Sequence, residues 1–419
     1  MTKNKRKLIP LFDLIDTVAN KINYLDWLTP AQNKDYEQAV KFLRCYSNND
    51  TTLNAYRREV ERLLQWIMLK ANKTLKQLAR EDIDSYIKFC QKPSKSWISL
   101  KRVPRFITTN NGRIPNTQWR PFVVTLAKKQ ISEGVNPQVE NYELSPRSIQ
   151  DILTITSSFF NFLMQEDYVK INPVMQIKQK SKYFTKQQTQ RVVRKLSELQ
   201  WGYILESAHL MAKENSNHAR TLFIMSVLYG MYLRISELTA SARWTPKMGD
   251  FERDPDGLWW FATVGKGNKS RKIAVSTEIL KALKRWRKYL GLSALPSPGE
   301  TTPMIPKHIG KGSMTSTRHI RTIVQECFDH AKLRLEKDNL IEEAEQLMVA
   351  TVHWLRHTGI SEDVKIRPRE HVRDDAGHSS SAITDKYIDV ELRERHQSAK
   401  KKQITPAGFA EEIDKINAV

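Results

Sequence analysis

Cysteine is scarce: three in 419 residues, Cys45, Cys90 and Cys327, with no CxxC pair among them. That removes a disulfide framework, a thiol redox centre and a cysteine zinc site from consideration. Long apolar runs are missing too, since no stretch approaches the roughly 18 residues that cross a bilayer. The basic start MTKNKRKLIPLFDLI is interrupted by Pro10 and Asp13, with no small-residue cleavage pattern after it, so a cytoplasmic chain is expected. There is no Walker phosphate loop, no acidic metal cluster and no internal repeat, so neither a nucleotide cofactor nor a metal is expected. Acidic residues are in deficit: 46 Asp and Glu face 68 Lys and Arg, a formal charge of +22.

What remains is a globular chain, 40% hydrophobic and 27% charged with a mean hydropathy of -0.54. It is long enough for two or three cores at roughly 100–200 residues per domain. The positive excess favours a polyanionic partner through counterion release, nucleic acid first, although charge alone leaves RNA, ribosomes and anionic lipid surfaces open. The excess is uneven: residues 1–190 carry 31 basic and 17 acidic side chains, residues 191–419 carry 37 and 29. The front half therefore reads as the phosphate-gripping part.

In TTLNAYRREVERLLQWI, apolar residues recur every three or four positions behind Thr51 and Thr52, which predicts a capped helix. LAREDIDSYIKFC predicts another, and Ser145-Pro146 opens a long apolar helix with a serine cap and a proline in the first turn. Between 92 and 143 prolines, an Asn-Gly pair and basic residues dissolve the pattern, so a long loop or insertion is expected there. Ser197 and Gln200 make a capping box at the start of a better packed region, in which GLWWFATVGKGNKSRKIAV predicts a hairpin with Lys266 at its tip. The expected fold is mainly α with a small β-hairpin or sheet (α+β). Its parts are an N-terminal segment 1–45, a helical unit 46–178 interrupted by the 92–143 insertion, a basic linker 179–192, a larger unit 193–400 and a tail 401–419.

Four segments of the larger unit carry chemistry together: LRISEL with Arg234, VGKGNKSRK with Lys266, HWLRHTGIS with His353 and Arg356, and AGHSSSAITDKYID with His378 and Tyr387. On a helix, His353 and Arg356 project from one face. Cutting and rejoining a phosphodiester without a cofactor needs a nucleophile, fixed positive charge on the nonbridging oxygens and a proton donor for the leaving oxygen. Arginine suits the second task because its planar fork keeps its proton and matches phosphate bidentately. Lysine or histidine suits proton transfer. A tyrosyl ester conserves the energy of the broken bond, so rejoining needs no ATP.

Arginine in R-x-S-E-L, lysine in a G-K-G-x-K-x-R hairpin, H-x-L-R-H-T, G-H, and a tyrosine nine residues after that histidine occur here in the order that marks the tyrosine recombinase (phage integrase) family, which the chain resembles over roughly 50–400. The resemblance implies a helical core-binding domain followed by a mixed helical catalytic domain, and a recombinase or integrase acting on double-stranded DNA. Arg234 and Arg356 would clamp the scissile phosphate, with His378 adding a hydrogen bond. Lys266 would protonate the departing 5′ oxygen, with Lys269 as the alternative donor. His353 would assist proton handling, Tyr387 would become joined to the 3′ phosphate, and Glu237 would brace the pocket. Lys178, Lys180, Lys182, Lys269 and Arg271 are candidate DNA contacts, and His357 and Lys272 are assigned to structure or backbone contacts.

The family implies tetramers passing through a Holliday junction, with accessory recombinases or DNA-bending proteins as further partners, in a prokaryotic, DNA-associated setting with no membrane. The tail 401–419 could dock on a neighbouring protomer. Gly359, Glu362, Asp363, Asp374 and Asp375 stand where the family usually has small and aliphatic residues, and 239–257 and 292–312 read as insertions. Two other readings share the composition: a catalytically dead, architectural DNA-binding descendant, against which the intact Tyr387 and arginines speak, and a type IB topoisomerase, against which the segment from Gly377-His378 to Tyr387 speaks.

Overall fold

The computed structural model describes residues 7–13, 25–110, 112–178, 194–265 and 267–378, with Ser380 and Ala399. The chain divides into two compact units, 1–190 and 191–419. No helix among the described residues is long and apolar enough to cross a membrane.

In the first unit α1 (Pro30–Arg44), α2 (Asp50–Trp66), α3 (Arg80–Gln91), α5 (Pro146–Gln165) and the short α6 (Pro173–Lys178) enclose one apolar core. The cap of α2 is Asn49, whose side chain accepts from the Thr52 amide, so the chain enters this helix before the two threonines expected to start it. Ser145 and Pro146 open α5 as the sequence predicts. Phe42 of α1 packs on Tyr56 of α2 and on Phe159 and Phe162 of α5 at centroid distances of 5.0–5.6 Å. Residues 30–44 therefore pack on this core as a helix. Upstream of them, the amides of Leu11 and Phe12 donate to the buried carboxylate of Glu61 on α2, fixing residues 7–13 against the bundle.

The 92–143 segment is not a loose loop. Strands β1 (Ile98–Ser99) and β4 (Phe122–Val123) pair in parallel, β2 (Phe106–Thr109) and β3 (Gly112–Pro115) form a hairpin, and α4 (Lys128–Ser132) follows. Trp97, Phe106, Trp119 and Phe122 are buried. Such short strands have no period to read, and β1 pairs with a partner more than twenty residues away, so local pattern cannot announce them.

The second unit packs α7 (Glu198–Glu214), α8 (Ala219–Gly230), α9 (Thr277–Tyr289), α10 (Thr317–Lys337), α11 (Ile341–Val349), α12 (Val352–Ile366) and α13 (Arg369–Ala376) around a second core. The Ser197–Gln200 capping box starts α7. Beside the helices lies an antiparallel sheet in the order β5 (Phe251–Arg253), β6 (Trp259–Val264), β7 (Ser270–Ala274). The predicted hairpin is β6–β7. Strand β5 was not expected, because three residues leave no alternation to detect. The 292–312 stretch buries Met304 and Ile305 in the same core, so it too is packed structure.

Helices α8 and α12 approach unusually closely at Gly359, where an added Cβ would sit 2.1 Å from the Tyr229 carbonyl oxygen. Gly359→Ala should push α12 away from α8 and cost about 1–3 kcal/mol of stability. Equilibrium urea unfolding checks this, and an unchanged midpoint would show that the two helices have slack.

Candidate active site

Residues from four places in the second unit's sequence meet at one turn. Arg356 sits mid-α12 and is 2% exposed. Its Nη1 donates to the Tyr232 carbonyl, and its Nη2 donates to the Ala376 carbonyl at 2.6 Å and lies 3.3 Å from His378 Nε2. Arg234 follows α8 in a short helical turn and reaches the same turn from the other side, its Nη2 donating to the Gly377 carbonyl at 3.2 Å. Gly377 terminates α13 in the left-handed region (φ 64°), where a side chain would be strained and would also strike Arg271 at 2.8 Å. The two guanidinium groups and His378 are thus gathered about the 376–378 turn.

Behind Arg234, Glu237 is 1% exposed and accepts four hydrogen bonds of 2.8–2.9 Å: the Arg234 amide and Nη1, and both terminal nitrogens of Arg271. Burial would raise its pKa, but the Arg271 hydrogen bonds and charge, joined by those of Arg234, outweigh that and hold the carboxyl below its ordinary range. Arg271 Nε donates to the Asp375 carbonyl at 2.9 Å. This places Arg271, expected among the DNA-contacting cations, inside the wall of the site, with its fork committed to Glu237. Alternation along β7 carried the signal, because Arg271 shares a face with Ile273, which is buried.

The residues that depart from the family pattern form a second layer. The Tyr232 hydroxyl donates to Asp363, Arg367 donates to Tyr232 Oη at 3.0 Å and to Asp363 at 3.2 Å, and its other terminal nitrogen donates to Asp375 at 2.6 Å. Asp375 also accepts from the Ala274 amide of β7. Tyr232 itself is held in the left-handed region (φ 51°), which presents its carbonyl to Arg356. Asp363 and Asp375 thus have cationic and hydroxyl partners, and sequence reasoning missed Tyr232 and Arg367 because no motif marks them. Arg194 was missed as well; its charge reaches His353 and His357.

Among the described residues the inner cluster holds three guanidiniums against the one carboxylate of Glu237, because the Asp375 carboxylate turns to Arg367. The histidines register that excess. Burial, then the charges of Arg356, Arg234 and Arg271, push His378 down to about 4. Burial, with His353 and Arg356, brings His357 to about 4 as well. Partial burial and the charges of Arg356, Arg234 and Arg194 lower His353, whose ring contacts His357 edge-on at 4.3 Å. At neutral pH these imidazoles are uncharged, and each carries a single N–H to offer. A partly buried cationic turn bordered by neutral donors is suited to an anionic oxygen centre.

Lys269 is exposed next to the hairpin tip. Lys266 and Tyr387 lie outside the described residues, as do Lys180, Lys182 and the 401–419 tail; of Lys178 only the backbone is described.

A profile of the phage integrase family matches residues 204–394, which include the sheet, α12, the 376–378 turn and Tyr387. The tyrosine recombinase XerC of Actinobacillus pleuropneumoniae is 25% identical over 182 residues, 43% of this chain and 52% of that protein, so this match spans about half of the relative's length. The XerC of Leptospira interrogans serovar copenhageni is 25% identical over 317 residues, 74% of this chain and 80% of that protein. In fold the chain is similar to the XerH site-specific recombinase bound to palindromic difH substrate in a post-cleavage complex, with a TM-score of 0.53 at 14% identity over 95% of this chain and 98% of that one. With the arginine, histidine and acidic motifs in order and gathered at one turn, residues 204–394 match the phage integrase family, and the chain is similar to tyrosine recombinases of the XerC type.

Proposed function

We propose that the chain is a DNA strand-exchange enzyme that cuts and rejoins double-stranded DNA through a 3′-phosphotyrosyl intermediate on Tyr387. The observation that carries this reading is the convergence of Arg234, Arg356 and His378 on the 376–378 turn, with Arg356 Nη2 3.3 Å from His378. A phosphoryl group held there gains negative charge on its nonbridging oxygens as the nucleophile adds. Fixed guanidinium charge in a partly dry site stabilises that charge more than it stabilises the ground state. Glu237 and Arg271 hold Arg234 in place, and the Tyr232 and Ala376 carbonyls hold Arg356, so little reorganisation is left for the reaction.

In this reading the Tyr387 phenol oxygen attacks phosphorus, the 5′ oxygen leaves and takes a proton from Lys266, and the 3′ phosphate stays on tyrosine. His353 assists with the phenolic proton. Attack by the 5′ hydroxyl of a partner strand reverses the step and releases Tyr387, which exchanges strands without ATP. A tetramer on DNA, with accessory recombinases or DNA-bending proteins choosing direction, completes the proposal, and the recombinases cited above support DNA as the partner.

Incubation of the chain with DNA from its native locus, in EDTA and without ATP, followed by denaturation in SDS, tests the reading. A covalent complex with a free 5′ hydroxyl on the cut DNA is expected. Noncovalent binding alone would favour the architectural alternative.

A further inference from the structure

Helix α12 stops at Arg367 because Pro368 follows: a residue before proline is driven out of the helical region, and Arg367 is extended at φ -115° and ψ 150°. Its backbone amide still donates to the Asp363 carbonyl at 2.8 Å. Its side chain then holds three groups at once. Nη1 donates to the Tyr232 hydroxyl oxygen at 3.0 Å and to the Asp363 carboxylate at 3.2 Å, and Nη2 donates to the Asp375 carboxylate at 2.6 Å.

Two of those partners belong to the backbone that fixes the phosphate clamp. Arg356 donates to the carbonyls of Tyr232 and Ala376. Arg367 grips the side chain of the first of these residues and that of Asp375, which immediately precedes the second. One guanidinium thus sets the separation of the two carbonyls that orient another. Apolar packing supports the arrangement, since Tyr232, Ile360, Val372 and Ala376 form a small buried cluster of their own. Burial, then the bond to Asp363, push the Tyr232 hydroxyl well above the usual phenol range, so it keeps the proton that it donates to Asp363 while accepting from Arg367. Arg367 also neutralises Asp375, whose side chain is 7% exposed. Without that partner a buried negative charge would stand one residue from Ala376, able to draw a guanidinium of the site away from phosphate.

We propose that Arg367 is a positioning residue for strand cleavage, acting through Arg356 and the 376–378 turn while its own fork stays committed to Tyr232, Asp363 and Asp375. The inference rests on the cleavage reading above and adds to it a residue outside every motif that led to that reading. A clamp misplaced by about 1 Å costs on the order of 10²-fold in rate, so loss of Arg367 is felt in the chemical step and not in DNA affinity.

The test measures single-turnover cleavage of saturated native-locus DNA by the full chain, and equilibrium binding to the same DNA. Arg367→Ala should slow cleavage about 10–100-fold with affinity within about threefold of wild type. In an Arg356→Ala background the same change should slow cleavage by less than about threefold, because residues that act through one another are not additive. Tyr232→Phe keeps the ring and the carbonyl and removes only the hydroxyl; it should slow cleavage about 3–10-fold, and it carries the test if Arg367→Ala does not fold. Cleavage by the folded variants at the wild-type rate would overturn the proposal and leave the cleavage reading standing. So would an equal loss with and without Arg356, or a loss of affinity as large as the loss of rate. A wild type that forms no covalent complex would overturn the cleavage reading and this inference with it.

Discussion

Replacing Arg356 with alanine should slow DNA cleavage by about 10²–10³-fold, roughly 3–4 kcal/mol in the barrier, with binding to intact DNA changed only a few-fold. The size follows from its place. Arg356 is buried, fixed by two carbonyls and adjacent to His378, so its charge acts where solvent cannot substitute for it. Removing it also leaves the Tyr232 and Ala376 carbonyls without their guanidinium donor, which should cost about 1–3 kcal/mol of stability. Arg356→Lys separates the two effects: it keeps the charge but not the fork, and should remain well below wild type. Single-turnover cleavage at saturating protein is the measurement, and a rate within threefold of wild type would remove Arg356 from the mechanism.

The second large effect is expected at Tyr387. Tyr387→Phe removes only the attacking oxygen, so the SDS-resistant complex should vanish while DNA affinity stays within a few-fold. The contrast with Arg356→Ala is diagnostic. Loss of charge stabilisation leaves a slow reaction on the same pathway, whereas loss of the nucleophile leaves none. A covalent complex persisting in the phenylalanine variant would point to another nucleophile, with the cationic turn still serving as its phosphate clamp.

What could be read from the sequence divides along a physical line. Capping signals are local, and Ser145-Pro146 and the Ser197–Gln200 box open α5 and α7 where expected. The proposed site residues were put forward because their chemistry demands particular side chains: nothing replaces an arginine fork for charge, and of them Arg234, Arg356 and His378 lie together at the 376–378 turn. Nonlocal pairing was illegible. The two-residue strands β1 and β4 pair across the first unit, α1 joins its core through Phe42, and β5 adds an unannounced edge to the hairpin.

Arg271 shows the remaining difficulty. A cation in a basic hairpin reads as a phosphate contact, and only its partnership with the buried Glu237 reveals it as a brace. Asp363 and Asp375 are the converse case: out of pattern in the sequence, they are accounted for by Arg367, which neither motif nor periodicity could attach to them.

Mass-spectrometric mapping of the residue left bearing a nucleotide after the trapped wild-type complex is digested with nuclease and protease bears most directly on the central claim. A single modified peptide with the 3′ phosphate on Tyr387 is the predicted result. A nucleotide on any other side chain, or none on a protein that nevertheless binds and protects the site, would contradict it.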